Sequence, residues 1–135
     1  MIPARHISRY LNGGCMAFAI ALKREFDLPI YALVDRYGEQ EDWPHIFVAS
    51  EEGNFAVDVR GVLPLEAQVI AEGARVGDDI DIMPVSIKDA KFKLDRYPTT
   101  KEINEARALV RQFLSHEVEQ AISQAPEVGS STMRM

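Results

Sequence analysis

One cysteine, Cys15, stands in Asn12-Gly13-Gly14-Cys15-Met16-Ala17-Phe18-Ala19, where a glycine turn runs into an apolar helical pattern. A histidine, His45, follows in one strand-like run and an aspartate, Asp58, in the next. A thiol at a helix start, with His and Asp on paired strands, is what a nucleophilic cysteine hydrolase requires. The helix N-terminus offers partial positive charge and free N–H groups, and both favour the thiolate. An imidazole activates the thiol and later protonates the leaving group, and a carboxylate orients the imidazole. For the oxyanion of acyl transfer, the local donors are the Cys15 N–H and either the Gly14 N–H or the Asn12 amide. A single thiol makes no internal disulfide and argues against a structural zinc site. No cofactor or metal is expected.

The elements that must position these groups are legible in part. Asn12 reads as an N-cap and Gly13-Gly14 as a tight turn. Cys15, Phe18, Ala19, Leu22 and Phe26 recur on one helical face, which gives a helix over about 13–26, ended by Asp27-Leu28-Pro29. Residues 28–35 read as a buried strand and 36–43 as a polar loop carrying Trp43, a loop anchor or a pocket wall. Residues 44–50 and 54–60 read as strands of a hairpin turning at 51–54. Pairing Glu51 with Asn54, or Ser50 with Phe55, gives one register. In it His45 and Asp58 are diagonal neighbours on one face, and a slip of one residue separates them.

Residues 61–64 read as a turn, 65–72 as a short helix ended by Gly73, and 80–85 as a strand. Thr99 and Glu102 have capping-box spacing. They open a long helix to about 124, with Ile103, Ala106, Val110, Phe113 and Ile122 on its apolar face. The domain is expected to span 1–124, with 125–135 a flexible tail. The fold class expected is α+β: the Cys15 helix packed on an antiparallel sheet, with the long C-terminal helix covering part of it.

The stretch from Gly13 to Gly61 resembles the transglutaminase-like branch of the papain-like cysteine enzymes. Cys15 and its helix look like the nucleophile helix. Residues 27–34 (DLPIYALV) are similar to the family's glycine-isoleucine-proline strand, with Asp27 at the glycine position. His45-Ile46-Phe47-Val48 stands where the family's histidine opens a strand. Gly53-Asn54-Phe55-Ala56-Val57-Asp58 is similar to its glycine-aromatic-valine-aspartate strand, with Val59 where a proline is usual. The resemblance implies Cys15 as nucleophile, His45 as base and Asp58 as orienter, acting on an amide of a protein or peptide. Peptidase, glutamine deamidase and transglutaminase chemistry all remain open.

Other readings compete. Cys15 can be a small buried hydrophobe, and Asp58 can simply pair with Arg60. Arg60 itself can bind a substrate carboxylate or serve a surface ion pair. The chain can also be a non-catalytic binding or assembly module on the same fold. Composition narrows the field. The 135 residues carry a net charge of −6, which argues against nucleic acid as the main partner. No apolar run reaches the roughly 18 residues of a membrane span. The N-terminus lacks the apolar core of a secretory signal, so a cytoplasmic setting is expected. Residues 25–58 hold nine acids against one base, Arg36, a face suited to solubility or to a basic substrate.

Overall fold

A computed structural model describes residues 1–72 and 76–124. The expected tail and Gly73 lie outside the described residues. The chain opens with helices α1 (Ala4–Leu11) and α2 (Cys15–Phe26). Strands β1 (Ile30–Tyr37), β2 (Gln40–Ala49), β3 (Ala56–Asp58) and β4 (Gly61–Leu63) follow. Helix α3 (Ala67–Ile70) leads to β5 (Ile80–Pro84) and α4 (Ile87–Leu94). The C-terminal helix is α5 (Thr100–Leu109), a π-helical turn (Val110–Leu114) and α6 (Ser115–Gln124). The strands form one antiparallel sheet in the order β4-β3-β2-β1-β5. The architecture is therefore α+β.

Helix α2 is buried on every side from Cys15 to Leu22, because it lies between the sheet and α5. Its small residues Ala17, Ala19 and Ala21 alternate with Phe18, Ile20 and Leu22, and each of the large ones contributes about 1.5–3 kcal/mol by burial. Beneath α2 lie Ile30, Ala32, Ile46, Val48 and Val57 on one sheet face. Leu33, Phe47, Ala49 and Ala56 fill the other face, against Ile70 and Ala71. Both faces are covered, which is why residues 46–49 are continuously apolar rather than alternating.

The hairpin register is the one expected from the spacing, with Val48 opposite Val57 and Ala49 opposite Ala56. The turn is the four-residue version. Ser50 N–H donates to Phe55 O at 3.0 Å, and Ser50 Oγ accepts from Asn54 N–H at 2.7 Å. Asp27 ends α2 in the left-handed conformation (φ 56°), its N–H on Lys23 O. That is the conformation glycine takes most easily.

Several expectations need correction. The polar stretch 36–43 is not a loop. β1 and β2 run through it and turn at Gly38-Glu39, with Tyr37 opposite Gln40. Its polarity reflects an exposed ribbon tied by side chains, as in Tyr37 Oη donating to Asp42 at 2.7 Å and Arg36 pairing with Glu41 at 3.4 Å. Gly61–Leu63 is an edge strand rather than a turn, and Glu117 of α6 accepts its Val62 N–H. The strand expected over 54–60 is only three residues long, because the chain reverses at Val59-Arg60. The helix expected over 65–72 is confined to Ala67–Ile70.

The Thr99–Glu102 capping box forms with both hydrogen bonds. Beyond it, the buried face follows Ile103, Ala106, Val110, Leu114 and Val118, not Phe113 and Ile122. The π turn adds a residue there and rotates α6 about the helix axis. α5 packs on α2 and α6 packs on β4, so the C-terminal helix covers the sheet at its β4 edge and otherwise lies outside α2. Helices α1 and α4 are additions to the expected elements. Ile7, Tyr10 and Leu11 carry a helical spacing for the first, and Ser86 caps the second by accepting from Asp89 N–H at 2.9 Å.

Candidate active site

Cys15 is the first residue of α2, and it lines one cleft together with His45 and Asp58. His45 Nε2 lies 2.8 Å from Asp58 Oδ2. The remaining ring nitrogen, Nδ1, is thus the one for the thiol. All three residues are buried, at 8%, 3% and 3% exposure, so their mutual contacts outweigh those with water.

The sheet makes room for this meeting. Along β2, Ala49 N–H points to β1, donating to Pro29 O. Alternation then sends the N–H groups of Val48 and Ile46 toward β3. Val48 finds Val57, where the ladder ends. Ile46 pairs with Ala32 of β1 but has no partner on β3, and its N–H helps to lower the Cys15 pKa. By the same alternation His45 and Asp58 issue from the face opposite α2. Thiol and imidazole meet in the gap past Val48–Val57, a cleft that Phe18, Ile46 and Val59 line from one side and Phe47 from the other.

Charge follows geometry. Burial would raise the Cys15 pKa, but hydrogen bonding to His45, its charge, and the backbone N–H groups of Ile46 and Cys15 together bring it below its ordinary value. Burial also opposes the imidazolium. The hydrogen bonds to Asp58 and Cys15 and their charges prevail, and raise the His45 pKa to about 9. Asp58 resists burial in the same way through His45 and Arg60, at about 2. Both directions favour a thiolate–imidazolium pair over a neutral thiol and imidazole.

Asp58 meets His45 and Arg60 at once, so the two partners that the sequence offers as alternatives are both engaged. Arg60 N–H donates to Asp58 Oδ1 at 2.8 Å and Arg60 Nε to Oδ2 at 3.1 Å. Its Nη2 also donates to Ile70 O at 3.0 Å, and Nη1 to Glu72 O at 3.2 Å. Arg60 therefore locks the carboxylate that holds the imidazole. The Asp58-Val59-Arg60 spacing, which puts two charges on one face, was the signal for it.

The oxyanion donors need revision. Asn12 caps the end of α1, and its amide donates to Ser8 O at 2.9 Å. The N-cap of α2 is Gly14, whose N–H donates to Arg9 O at 3.1 Å. Neither group is an unengaged donor. A Cβ at Gly14 would lie 2.9 Å from Arg9 O and 3.0 Å from Tyr10, so glycine is needed there for the close α1–α2 approach. No side chain caps α2, which leaves the first-turn N–H groups of Cys15, Met16 and Ala17 without helical partners. Those residues line a cavity of about 230 Å³.

Trp43 is a wall of that cavity. In the β1–β2 ladder Leu33 faces His45 and Asp35 faces Asp42, so Trp43 and Pro44 together oppose Val34. This bulge brings two consecutive residues to the cavity where a regular strand would present one. Pro44 lacks the N–H a regular ladder would use, and the bulge accommodates it. Trp43 Nε1 donates to Glu41 Oε1 at 3.0 Å.

Among the described residues, no group of three or more His, Cys, Asp or Glu is placed to hold a metal ion. No helix among them is long and apolar enough to cross a membrane. Compared with protein-family models, curated proteins and solved structures, the chain gives no match.

Proposed function

We propose that the chain is a cysteine acyl-transfer enzyme of papain-like or transglutaminase-like type, with Cys15 as nucleophile, His45 as acid and base, and Asp58 as orienter. The observation that carries this reading is one cleft lined by Cys15, at an uncapped helix N-terminus, and by His45 hydrogen-bonded to Asp58. The thiolate attacks the carbonyl carbon of an amide. The first-turn N–H groups of α2 stabilise the oxyanion. The C–N bond breaks as the His45 imidazolium gives its proton to the leaving amine, and a thioester remains on Cys15. Water or a second amine, deprotonated by His45, then attacks the thioester. The C–S bond breaks and the thiolate returns.

The test is acylation by p-nitrophenyl acetate at pH 6–7, followed by mass spectrometry. The expected result is a burst of nitrophenolate, an acetyl group on Cys15, and turnover that is lost in Cys15→Ala and slowed in His45→Ala. Stoichiometric labelling without turnover, insensitive to His45→Ala, would sink the proposal and favour a binding module on this fold.

A further inference from the structure

We infer that the cavity beside Cys15 is a specificity subsite that takes an apolar side chain next to the scissile amide. The substrate would thus be a peptide bond at a leucine- or phenylalanine-like residue. The inference rests on Cys15 being the nucleophile proposed above. Trp43, Pro44, Leu94 and Pro98 supply apolar walls, and Cys15 lies in the same lining. None of the four belongs to the triad. Trp43 and Pro44 arrive through the β2 bulge, Leu94 ends α4, and Pro98 lies in the connection to α5.

The walls are held in advance of binding. Trp43 is fixed at its ring N–H by Glu41, and the Lys93 ammonium stands 5.9 Å from its ring centre. The two charged residues of the lining are Arg96 and Glu102. They pair with one another at 3.3 Å, and the other Glu102 oxygen accepts Thr99 N–H at 2.9 Å. Because this pair is internally neutralised, a charged side chain entering the cavity would lose hydration without gaining a free partner. An apolar side chain would lose none and bury its surface. At about 230 Å³ the space holds roughly eight waters at about 30 Å³ each, the scale of a single side chain.

The experiment uses the whole chain and peptidyl chloromethyl ketones that alkylate Cys15. Their residue next to the ketone is Ala, Leu, Phe, Gln, Lys or Asp. The expected inactivation rate for Leu or Phe exceeds that for Ala by about 10-fold or more, with Lys and Asp below Ala. In Trp43→Ala and in Leu94→Gln the Leu-to-Ala ratio should fall toward one. The ratio is taken within each variant, so a general loss of reactivity cancels, and two variants from different elements guard against one misfolding. Equal rates across the series, or a preference for Gln, Lys or Asp, overturn the inference while leaving the nucleophile in place. A Cys15 that iodoacetamide alkylates with the pH profile of a free thiol overturns both readings.

Discussion

His45 Nε2 and Asp58 Oδ2 are 2.8 Å apart although the residues stand on different strands. The distance follows from a register in which Val48 faces Val57 as the last ladder pair before the strands part. His45 lies past the last ladder pair on β2, and Asp58 is the first residue past it on β3. The ladder fixes the two residues, and the opening beyond it admits the thiol.

Cys15 should react at a lower pH than an ordinary thiol. Iodoacetamide alkylation should proceed well below the range of a free cysteine, which titrates near about 8.5. His45→Ala removes the largest of the effects that lower the pKa and leaves burial, which raises it, opposed only by the backbone N–H groups of Ile46 and Cys15. The midpoint of the rate against pH should therefore move up in the variant. Superimposable curves would show that His45 has no influence on the thiol.

Cys15→Ala should abolish turnover with little loss of stability, since alanine suits a helix and the site keeps its apolar packing. Asp58→Asn should be milder, on the order of 10²-fold in rate, because an amide can still hold the ring. Steady-state rates with matched melting temperatures decide this. A Cys15→Ala protein of full activity would refute the mechanism.

Stability should change with pH in opposite senses at the two charged partners. His45 is raised to about 9, so its contribution is complete below its unfolded pKa of about 6.5 and is lost as pH rises through about 9. Cys15 is lowered, so its contribution has the opposite slope in the alkaline range. Removing the thiol exposes the histidine effect. Melting temperatures of Cys15→Ala should fall more steeply between pH 6.5 and 9 than those of the wild type. A shallower fall in the variant would contradict the assigned directions.

Asp58, at about 2, contributes stability above its unfolded pKa of about 3.9 that is lost as pH falls through about 2. Arg60→Gln removes one of the two charges holding it down. The acid-unfolding midpoint followed by circular dichroism should move to higher pH. His45 should keep a pKa above its ordinary value by NMR, because its hydrogen bond to Asp58 is retained. An unmoved acid limb would show that Arg60 does not act on the carboxylate.

Asp27 tests the backbone. Its φ of 56° penalises a β-branched residue, so Asp27→Val should cost about 1–2 kcal/mol in urea unfolding. Asp27→Gly should cost nothing, as relief of the Cβ clash offsets the entropy of glycine. Equal losses in both would mean that the left-handed end of α2 does not matter.

The sequence alone determined the parts of this protein that depend on short-range spacing. The helical period after Gly14, the Thr99–Glu102 capping box, and a turn whose two versions share one register are all local, and the register put His45 and Asp58 on one face. Polar spacing misleads where exposure, not irregularity, is its cause, as in residues 36–43. Tertiary structure decided the rest. Whether the N–H of Ile46 is free depends on where β3 leaves β2, and whether that of Gly14 is free depends on how closely α1 approaches it. The bulge at Trp43-Pro44 and the closing of the cavity by Leu94 and Pro98 join residues about fifty positions apart. Such contacts form through packing between elements, and no local period records them.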